Sequence, residues 1–305
     1  MTAAISRRQL VLGAVASVAG TALPGPLRTQ ASGGRFSMKF APHPGMFAAV
    51  AGDDYIAQLE FAAEQGFHAW EDNRFAGLDV SEQERHGQTM ADLGISMGVF
   101  VASASLNAVT LTSGDSAQLA AFLADLRRAV DVAARANATW MTVVPGAYDP
   151  KLAHGYQTAN VVDALRRGAE ILEPHGLVMV LEPLNRLTDH PLAFLTHIHQ
   201  AYELCVAVDS PACKILFDMY HQQITEGNII PNIELAWEHI GYFQVGDNPG
   251  RGAPTTGEMH YRNIFEHIKA KNKNVILGME HQPFRSTSEQ EVWNLIAAYR
   301  QVDPA

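Results

Sequence analysis

The sequence predicts an α/β protein, a single-domain (β/α)₈ barrel over residues 32–305. Three observations predict it: eight short apolar runs rich in strand-forming residues, helical periodicities between these runs, and no G-x-G-x-x-G segment after the first run. Apolar strands that alternate with helices indicate a parallel sheet. Eight such units in about 265 residues match a closed barrel. The rival architecture is an open doubly wound sheet, but this sequence lacks the glycine-rich nucleotide-binding turn typical of that fold.

The predicted strands are short and are followed by polar or turn residues. In chain order they are MKFAPH (38–43), FHAWEDN (67–73), SMGVFVAS (96–103), TWMTVVPG (139–146), VMVLEPLN (178–185), KILFDMYH (214–221), GYFQVGD (241–247) and VILGMEH (275–281). Between them, apolar residues recur three and four positions apart over residues 53–66, 116–137, 158–176 and 193–208, which predicts helices. Gly66 and Gly176 stand where a helix C-terminal cap is expected.

Residues 1–31 form a separate segment. Arg7 and Arg8 precede an apolar run over residues 10–19, which Pro24 and Pro26 follow. This order is typical of a twin-arginine export signal, and the run is too short to span a bilayer comfortably. The sequence therefore predicts a periplasmic protein with no stable membrane insertion after signal removal. Cleavage after residue 22 and cleavage after residue 31 both remain open.

The composition limits the classes of partner that the barrel is expected to bind. A formal charge of −10 without a basic cluster argues against nucleic acid and against an anionic membrane surface. The expected partner is a small molecule, and a homo-oligomer is left open. Cys205 and Cys213 are the two cysteines and lie among apolar neighbours, so we expect buried thiols and no disulfide framework.

Four consecutive predicted strands end with an oxygen-bearing side chain: Glu182, Asp218, Gln244 and Glu280. Side chains at the C-terminal ends of barrel strands face the active site, and neighbouring strands lie ~4.8 Å apart. One such acid could be a helix cap or an ion-pair partner, but three converging carboxylates repel one another unless a cation lies between them. An all-oxygen donor set favours Mg²⁺ or Mn²⁺ over zinc.

Weaker candidates follow the first three strands. His43, Glu71 and Asp72 could line the cavity, although Glu71 or Asp72 could equally cap the next segment. Trp70 and Phe100 could form an apolar wall beside a sugar, but single aromatic residues more often belong to the core.

Four segments carry a family resemblance: LEPLN (181–185), FDMYH (217–221), FQVGDNPGRGAPTTGEMHY (243–261) and GMEH (278–281). With them, residues 38–300 resemble the sugar isomerase and epimerase TIM barrels, which include hydroxypyruvate isomerase, the ketose 3-epimerases and, more distantly, xylose isomerase. The third segment most resembles the hydroxypyruvate isomerase branch, in which glutamine replaces the histidine ligand of the ketose 3-epimerases.

The resemblance implies roles for individual residues. It makes Glu182, Asp218, Gln244 and Glu280 the metal ligands, and Glu182 and Glu280 the catalytic acid and base. Substrate binding is expected from His221 and Arg251, together with Glu71 and His43, and Glu258 is expected to order the loop that carries Arg251.

One position departs from the family pattern. The pattern Gly-x-Glu-Tyr-x-Pro reads GMEHQP here, with His281 in place of the tyrosine. This change leaves the predicted metal site intact and leaves the substrate open.

Together these observations predict a metal-dependent aldose–ketose type isomerase. It would transfer a proton through an enediolate, with hydroxypyruvate and tartronate semialdehyde as the implied pair. The alternative is an exported epimerase or lyase acting on oxidised sugars or glycosides at the same metal site. A metal-dependent phosphodiesterase or endonuclease barrel is less favoured because it needs several histidines and a basic groove. A non-catalytic sugar-binding protein offers no reason to collect three carboxylates.

Overall fold

The computed structural model describes residues 34–271 and 274–304. The predicted export segment, residues 1–31, therefore lies outside the described residues. Within the described part of the chain, every helix is too short or too polar to cross a membrane.

The described residues form nine short strands, which match the eight predicted ones. They are β1 (Lys39–Ala41), β2 (Ala69–Trp70), β3 (Ser96–Met97), β4 (Val99–Ala104), β5 (Trp140–Val144), β6 (Val178–Leu181), β7 (Cys213–Asp218), β8 (Ile240–Gln244) and β9 (Ile276–Gly278). The third predicted strand is divided at Gly98. A Cβ there would lie 2.3 Å from the Tyr242 hydroxyl, so only glycine leaves room for the tyrosine.

All strand pairs are parallel and the sheet curls into a barrel. Seven strands pair in the order β1-β9-β8-β7-β6-β5-β4, and β2 pairs with β3, which continues into β4. Two backbone hydrogen bonds place β2 between its neighbours: Glu71 donates to the Pro42 carbonyl (3.0 Å) and Gly98 donates to the Trp70 carbonyl (2.7 Å). The predicted single-domain (β/α)₈ barrel is confirmed.

Helices fill the connections between the strands. They are α1 (Ala48–Ala51), α2 (Tyr55–Glu64), α3 (Val80–Leu93), α4 (Ser116–Ala136), α5 (His154–Leu172), α6 (Ile198–Val208), α7 (Met219–Thr225), α8 (Ile229–Ala236), α9 (Tyr261–Lys271) and α10 (Glu289–Val302). Helix α5 ends before Gly176, because a 3₁₀ turn over Glu173–His175 comes between them. Helix α6 begins later than predicted, at Ile198, whose N–H donates to Glu226 (2.8 Å).

The core has two parts. Inside the barrel, one side chain from each of seven strands forms a small apolar layer: Ala41, Ala69, Val99, Val180, Leu216, Tyr242 and Ile276. Between strands and helices lies a larger cluster that contains Trp70 and Phe100, so these aromatics are core residues and do not wall the cavity. Cys205 and Cys213 are buried free thiols, as expected. A filled barrel interior leaves polar chemistry to the strand ends above it.

Candidate active site

The four predicted ligands lie together at the C-terminal ends of β6 to β9. Asp218 stands opposite Gln244 in the register of β7 and β8. One Nη atom of Arg251 lies 3.4 Å from both Asp218 Oδ2 and Glu280 Oε1. Donor atoms of Glu182 and Asp218 fall within 4.8 Å of each other. The structure thus brings the three carboxylates and the amide into one cluster.

Asp218 is held by the helix that follows it. Its Oδ1 caps α7 by accepting from the N–H groups of Tyr220 (2.8 Å) and His221 (3.4 Å), which leaves Oδ2 for the cluster. Burial raises the pKa of Asp218 to about 7, even though the nearby Arg251 guanidinium opposes the shift. A proton or a cation is therefore favoured at this carboxylate.

The pKa values of Glu182 and Glu280 are shifted in opposite directions. Burial, followed by the charges of Asp218 and Glu280, raises the pKa of Glu182 well above its ordinary value. Burial also opposes ionisation of Glu280, but the charge of the adjacent His43 outweighs it and holds the pKa of Glu280 at about 2. Two carboxyl groups that differ in this way can act as proton donor and proton acceptor.

Gln244 is oriented by a carboxylate beneath the cluster. Its Nε2 donates to Glu71 Oε1 (2.7 Å), and its Oε1 has no hydrogen-bond partner among the described residues although it is buried. Glu71 is fully buried, and its Oε2 accepts from the Tyr242 hydroxyl (2.6 Å). The sequence predicts that Glu71 contacts substrate; in the structure both its carboxylate oxygens accept hydrogen bonds inside the barrel.

His43 lies between the carboxylates of Glu71 and Glu280 and lines the cavity. Its Nε2 is 3.0 Å from Glu280 Oε2 and 3.2 Å from Glu71 Oε1, although neither oxygen is aligned for a linear hydrogen bond. Burial opposes its charge, but Glu280 and Glu71 together raise the pKa of His43 to about 10. A positive charge at His43, or a cation near it, balances these two acids.

His221 presents an N–H to the cluster. Its Nδ1 lies 2.7 Å from Asn185 Nδ2, and Thr188 donates to Asn185 Oδ1, so the Asn185 amino group must face the histidine. Nδ1 is therefore the acceptor and the proton is on Nε2, which lies 3.8 Å from Glu182 and 3.6 Å from Asp218. Burial lowers the pKa of His221 to about 3, which keeps the ring neutral. Asn185 is part of the quoted LEPLN segment, but the sequence did not indicate this role.

Arg251 reaches into the cluster from the loop after β8. Its guanidinium lies over the Tyr220 ring, 4.9 Å from the ring centroid, and its Nε donates to the Glu280 carbonyl (3.1 Å). Its backbone has φ of 49°, an uncommon value for a residue with a side chain. A residue held this way in a site is consistent with a functional role.

Asp247 anchors this loop. Its Oδ1 accepts from the N–H groups of Asn248 (3.0 Å) and Met259 (3.1 Å), and its Oδ2 accepts from Gly257 (2.9 Å). Glu258, the predicted organiser, is exposed and accepts from the Asn248 side chain (3.0 Å). Glu258 thus supports the loop at the protein surface, whereas the buried Asp247 closes it. Asp247 could have been suspected from its place between a strand and the turn.

A cavity of about 780 Å³ opens beside the cluster. His43 and Glu280 border its inner end, and Tyr55, Asn73 and Phe284 also line it. Asn73, which sequence reasoning missed, donates to Glu280 Oε2 (3.0 Å) and so helps to orient that carboxylate. The cavity leads from solvent to Glu280, one member of the predicted acid–base pair.

Asp72 holds the turn that follows β2, and the next 3₁₀ turn has no side-chain cap. Its Oδ1 accepts from the Arg74 N–H (2.9 Å) and its Oδ2 from the Tyr55 hydroxyl (3.1 Å). It also lines the cavity.

His281, the departure from the family pattern, is directed away from the cluster. It is fully buried and stacks on Tyr299. Its Nδ1 lies 3.0 Å from the Gln282 carbonyl, which can only accept, so Nε2 must accept from the Tyr299 hydroxyl (2.9 Å). Both ring nitrogens are thus used inside the protein, and the substitution does not place a histidine against the substrate.

Comparison with known proteins agrees with this architecture. The chain is 34% identical over 135 residues to hydroxypyruvate isomerase of Escherichia coli (strain K12), covering 44% of this chain and 52% of the relative. It is 28% identical over 169 residues to 2-oxo-tetronate isomerase of Pectobacterium atrosepticum, covering 55% of this chain and 64% of the relative. The matched region thus spans about half to two thirds of these relatives.

A solved structure described as AP endonuclease, family 2, from Brucella melitensis superposes with a TM-score of 0.71 at 20% identity, covering 84% of this chain and 96% of that one. At this identity the likeness shows the fold alone. The sequence model of the xylose isomerase-like TIM barrel family matches residues 59–298, which is most of the chain. The protein therefore belongs to the family of xylose isomerase-like TIM barrels.

Proposed function

We propose that this protein is a metal-dependent isomerase of small sugar acids. It would interconvert an α-hydroxy ketone and the isomer in which the carbonyl and hydroxyl groups have exchanged carbons. Hydroxypyruvate and tartronate semialdehyde are the pair that we favour. The observation that carries the proposal is the convergence of three carboxylates and one unpartnered amide oxygen at the ends of four adjacent strands. The names of the two relatives, hydroxypyruvate isomerase and 2-oxo-tetronate isomerase, support the same chemistry.

The clustered residues fit a hard divalent cation such as Mg²⁺ or Mn²⁺. All the donors are oxygens, and the buried Gln244 Oε1 lacks any other partner among the described residues. Burial, together with repulsion from Asp218 and Glu280, raises the pKa of Glu182, and a cation would relieve that repulsion. Glu182, Asp218, Gln244 and Glu280 would hold the ion. When bound, it would polarise the substrate carbonyl and stabilise the negative charge of an enediolate.

The protein's own groups would carry the proton. Glu280, which its low pKa keeps ionised, would accept the proton from the carbon beside the carbonyl. Glu182 would return a proton to the neighbouring carbon. His221 would donate its Nε2 hydrogen to a substrate oxygen, and the planar fork of Arg251 would bind the substrate carboxylate.

Isotope exchange tests this function directly. Protein loaded with Mn²⁺ would be incubated in D₂O with hydroxypyruvate, with a 2-oxo-tetronate and with neutral ketoses. We expect deuterium at the carbon beside the carbonyl of one of the acids, and we expect a chelator to abolish the incorporation. Loaded protein that exchanges no proton on any of these compounds would contradict the proposal.

The cavity supports a second candidate, an exported epimerase or lyase for oxidised sugars or glycosides. Its volume of about 780 Å³ extends from Glu280 out to Tyr55 and Phe284. Clefts of ~300–1,000 Å³ commonly enclose ligands much larger than a three-carbon acid. Adding glycosides with an oxidised ring to the exchange panel separates the candidates. Exchange that is faster on glycosides than on free acids would favour this second candidate.

Arg251 is expected to matter most for substrates with a carboxylate. Arg251→Ala should raise KM for the responsive acid about 10- to 100-fold, equivalent to the ~1.5–3 kcal/mol of a charge-assisted hydrogen bond. Arg251→Lys should recover little, because lysine lacks the planar fork. Steady-state kinetics would measure this, with Arg262→Ala on the exposed face of α9 as the control. An unchanged KM in Arg251→Ala would contradict the assignment.

Metal affinity is expected to depend on pH through Asp218. Its pKa of about 7 means that the metal-free site holds a proton below pH 7, and a cation must displace this proton. The apparent affinity for Mn²⁺ should therefore rise with pH up to about pH 7, about tenfold per unit for each proton displaced. Calorimetric titration from pH 5.5 to 8.5 would measure it. An affinity that is constant over this range would refute the expectation.

We also propose that the protein is exported to the periplasm by the twin-arginine route. Arg7 and Arg8 before the apolar run over residues 10–19 support this, in a segment outside the described residues. Replacing both arginines with lysine should retain the protein in the cytoplasm, as measured by cell fractionation. Periplasmic accumulation of that double variant would argue against the route.

A further inference from the structure

Glu71 is a buried charge that the proposed chemistry does not use. It follows β2, is fully buried, and makes its side-chain hydrogen bonds with two residues more than 170 positions away, Tyr242 and Gln244. Gly278 leaves space for the Glu71 side chain, because a Cβ at position 278 would lie only 1.7 Å from Glu71 Oε2. Because burying a carboxylate is costly, a specific function for this arrangement is expected.

The chemistry of the Gln244 amide indicates that function. The amide has a donor end and an acceptor end, and these ends are nearly identical in shape. A carboxylate offers only acceptors, so Glu71 selects the amino end, which donates to it at 2.7 Å. The carbonyl oxygen must then point the other way, where it is buried and has no partner among the described residues.

The alternative orientation would defeat cation binding. If the amide turned over, it would present an NH₂ group, which cannot coordinate a cation. A carboxylate in place of Gln244 would present oxygen in either orientation, so the need for a fixed partner is specific to glutamine. Tyr242 in turn donates to the second oxygen of Glu71 and fixes the carboxylate itself.

We propose that Glu71 is a positioning residue that holds the Gln244 amide with its carbonyl oxygen towards the metal, and so sets the affinity of the site for hard divalent cations. The inference rests on the metal site of the proposed function. On this inference Glu71 does not contact substrate but supports one metal ligand. Mutation of a residue that hydrogen-bonds to a metal ligand typically changes metal affinity 10- to 100-fold.

Mn²⁺ titration followed by electron paramagnetic resonance of the free ion tests this without any activity assay. Glu71→Gln offers both a donor and an acceptor to the Gln244 amide, so we expect Mn²⁺ affinity to fall about 10- to 100-fold. Glu71→Asp, which is one methylene shorter and loses reach to the amide, should show a similar loss. Tyr242→Phe removes the other hydrogen bond of Glu71 and should have a much smaller effect.

The reversed pair gives the decisive result. In Glu71→Gln/Gln244→Glu, the new carboxylate supplies the ligand oxygen and the new amide at position 71 donates to it, at unchanged total charge. We expect this double variant to bind Mn²⁺ more tightly than either single variant, since Gln244→Glu alone sets two carboxylates against each other. A role of Glu71 in packing alone predicts near-wild-type Mn²⁺ affinity in folded Glu71→Gln.

The outcomes separate the two proposals. Wild-type Mn²⁺ affinity in folded Glu71→Gln, or a double variant that binds no better than Glu71→Gln, would overturn the positioning role while leaving the metal site intact. Wild-type protein that fails to bind Mn²⁺ would overturn the metal site of the proposed function, and the positioning role with it.

Discussion

Replacing Glu280 with glutamine is expected to lower kcat for isomerisation about 10²- to 10⁴-fold, the range that general acid–base catalysis supplies. Glutamine keeps the shape of the side chain but can neither take up nor release the proton. Glu182→Gln should cause a loss of the same order, because the two groups act on neighbouring carbons of one substrate. Turnover and deuterium exchange would both be measured at saturating Mn²⁺, since each residue is also a proposed ligand.

A matched control separates catalysis from a general effect of losing a carboxylate. Glu170 is exposed on α5, so Glu170→Gln should leave turnover unchanged. Mn²⁺ affinity would be determined separately for each variant, so that weak loading is not mistaken for lost proton transfer. Near-wild-type kcat in loaded Glu182→Gln or Glu280→Gln would remove that residue from the acid–base pair.

Gly278→Ala is expected to be the most destabilising small substitution near the site. The added Cβ would lie 1.7 Å from Glu71 Oε2 and 2.6 Å from its Cδ, so the carboxylate must move. Moving it breaks the hydrogen bonds from Tyr242 and Gln244 and leaves a buried charge without partners, which typically costs ~3–5 kcal/mol. Urea denaturation of the metal-free protein would measure the loss in free energy of unfolding.

Gly155 provides the control for this substitution. It lies near the start of α5, and a Cβ there would meet no heavy atom within 4 Å. Gly155→Ala should leave stability unchanged or raise it by up to about 1 kcal/mol, since alanine favours the helix. A Gly278→Ala variant within about 0.5 kcal/mol of wild type, the range of ordinary surface changes, would show that Glu71 relocates at little cost.

The strands were predictable because their signal is local. Short apolar runs such as VMVL and KILF identify a buried strand without reference to the rest of the chain. Their lengths were overestimated, as with FHAWEDN, of which only Ala69–Trp70 forms β2. A strand ends where its ladder with the neighbouring strand ends, and that pairing depends on distant segments.

The supporting contacts of the site were not predictable from the sequence. The bonds from Tyr242 and Gln244 to Glu71 join residues 171 and 173 positions apart, and no pattern along the chain links them. The Asn185–His221 contact is of the same kind, with its partners 36 positions apart. The same limit explains Glu71 and His281: the sequence showed that they follow strands but not the direction of their side chains.

By itself, the sequence determined the order of strands and helices and the four strand ends that carry oxygen-bearing side chains, because periodicity and position along a strand are local properties. Only the three-dimensional structure shows that Arg251 reaches Asp218 and Glu280, that His281 faces the core, and that the Gln244 amide donates to Glu71. These features depend on distances between segments far apart in the chain, and only closure of the barrel establishes those distances.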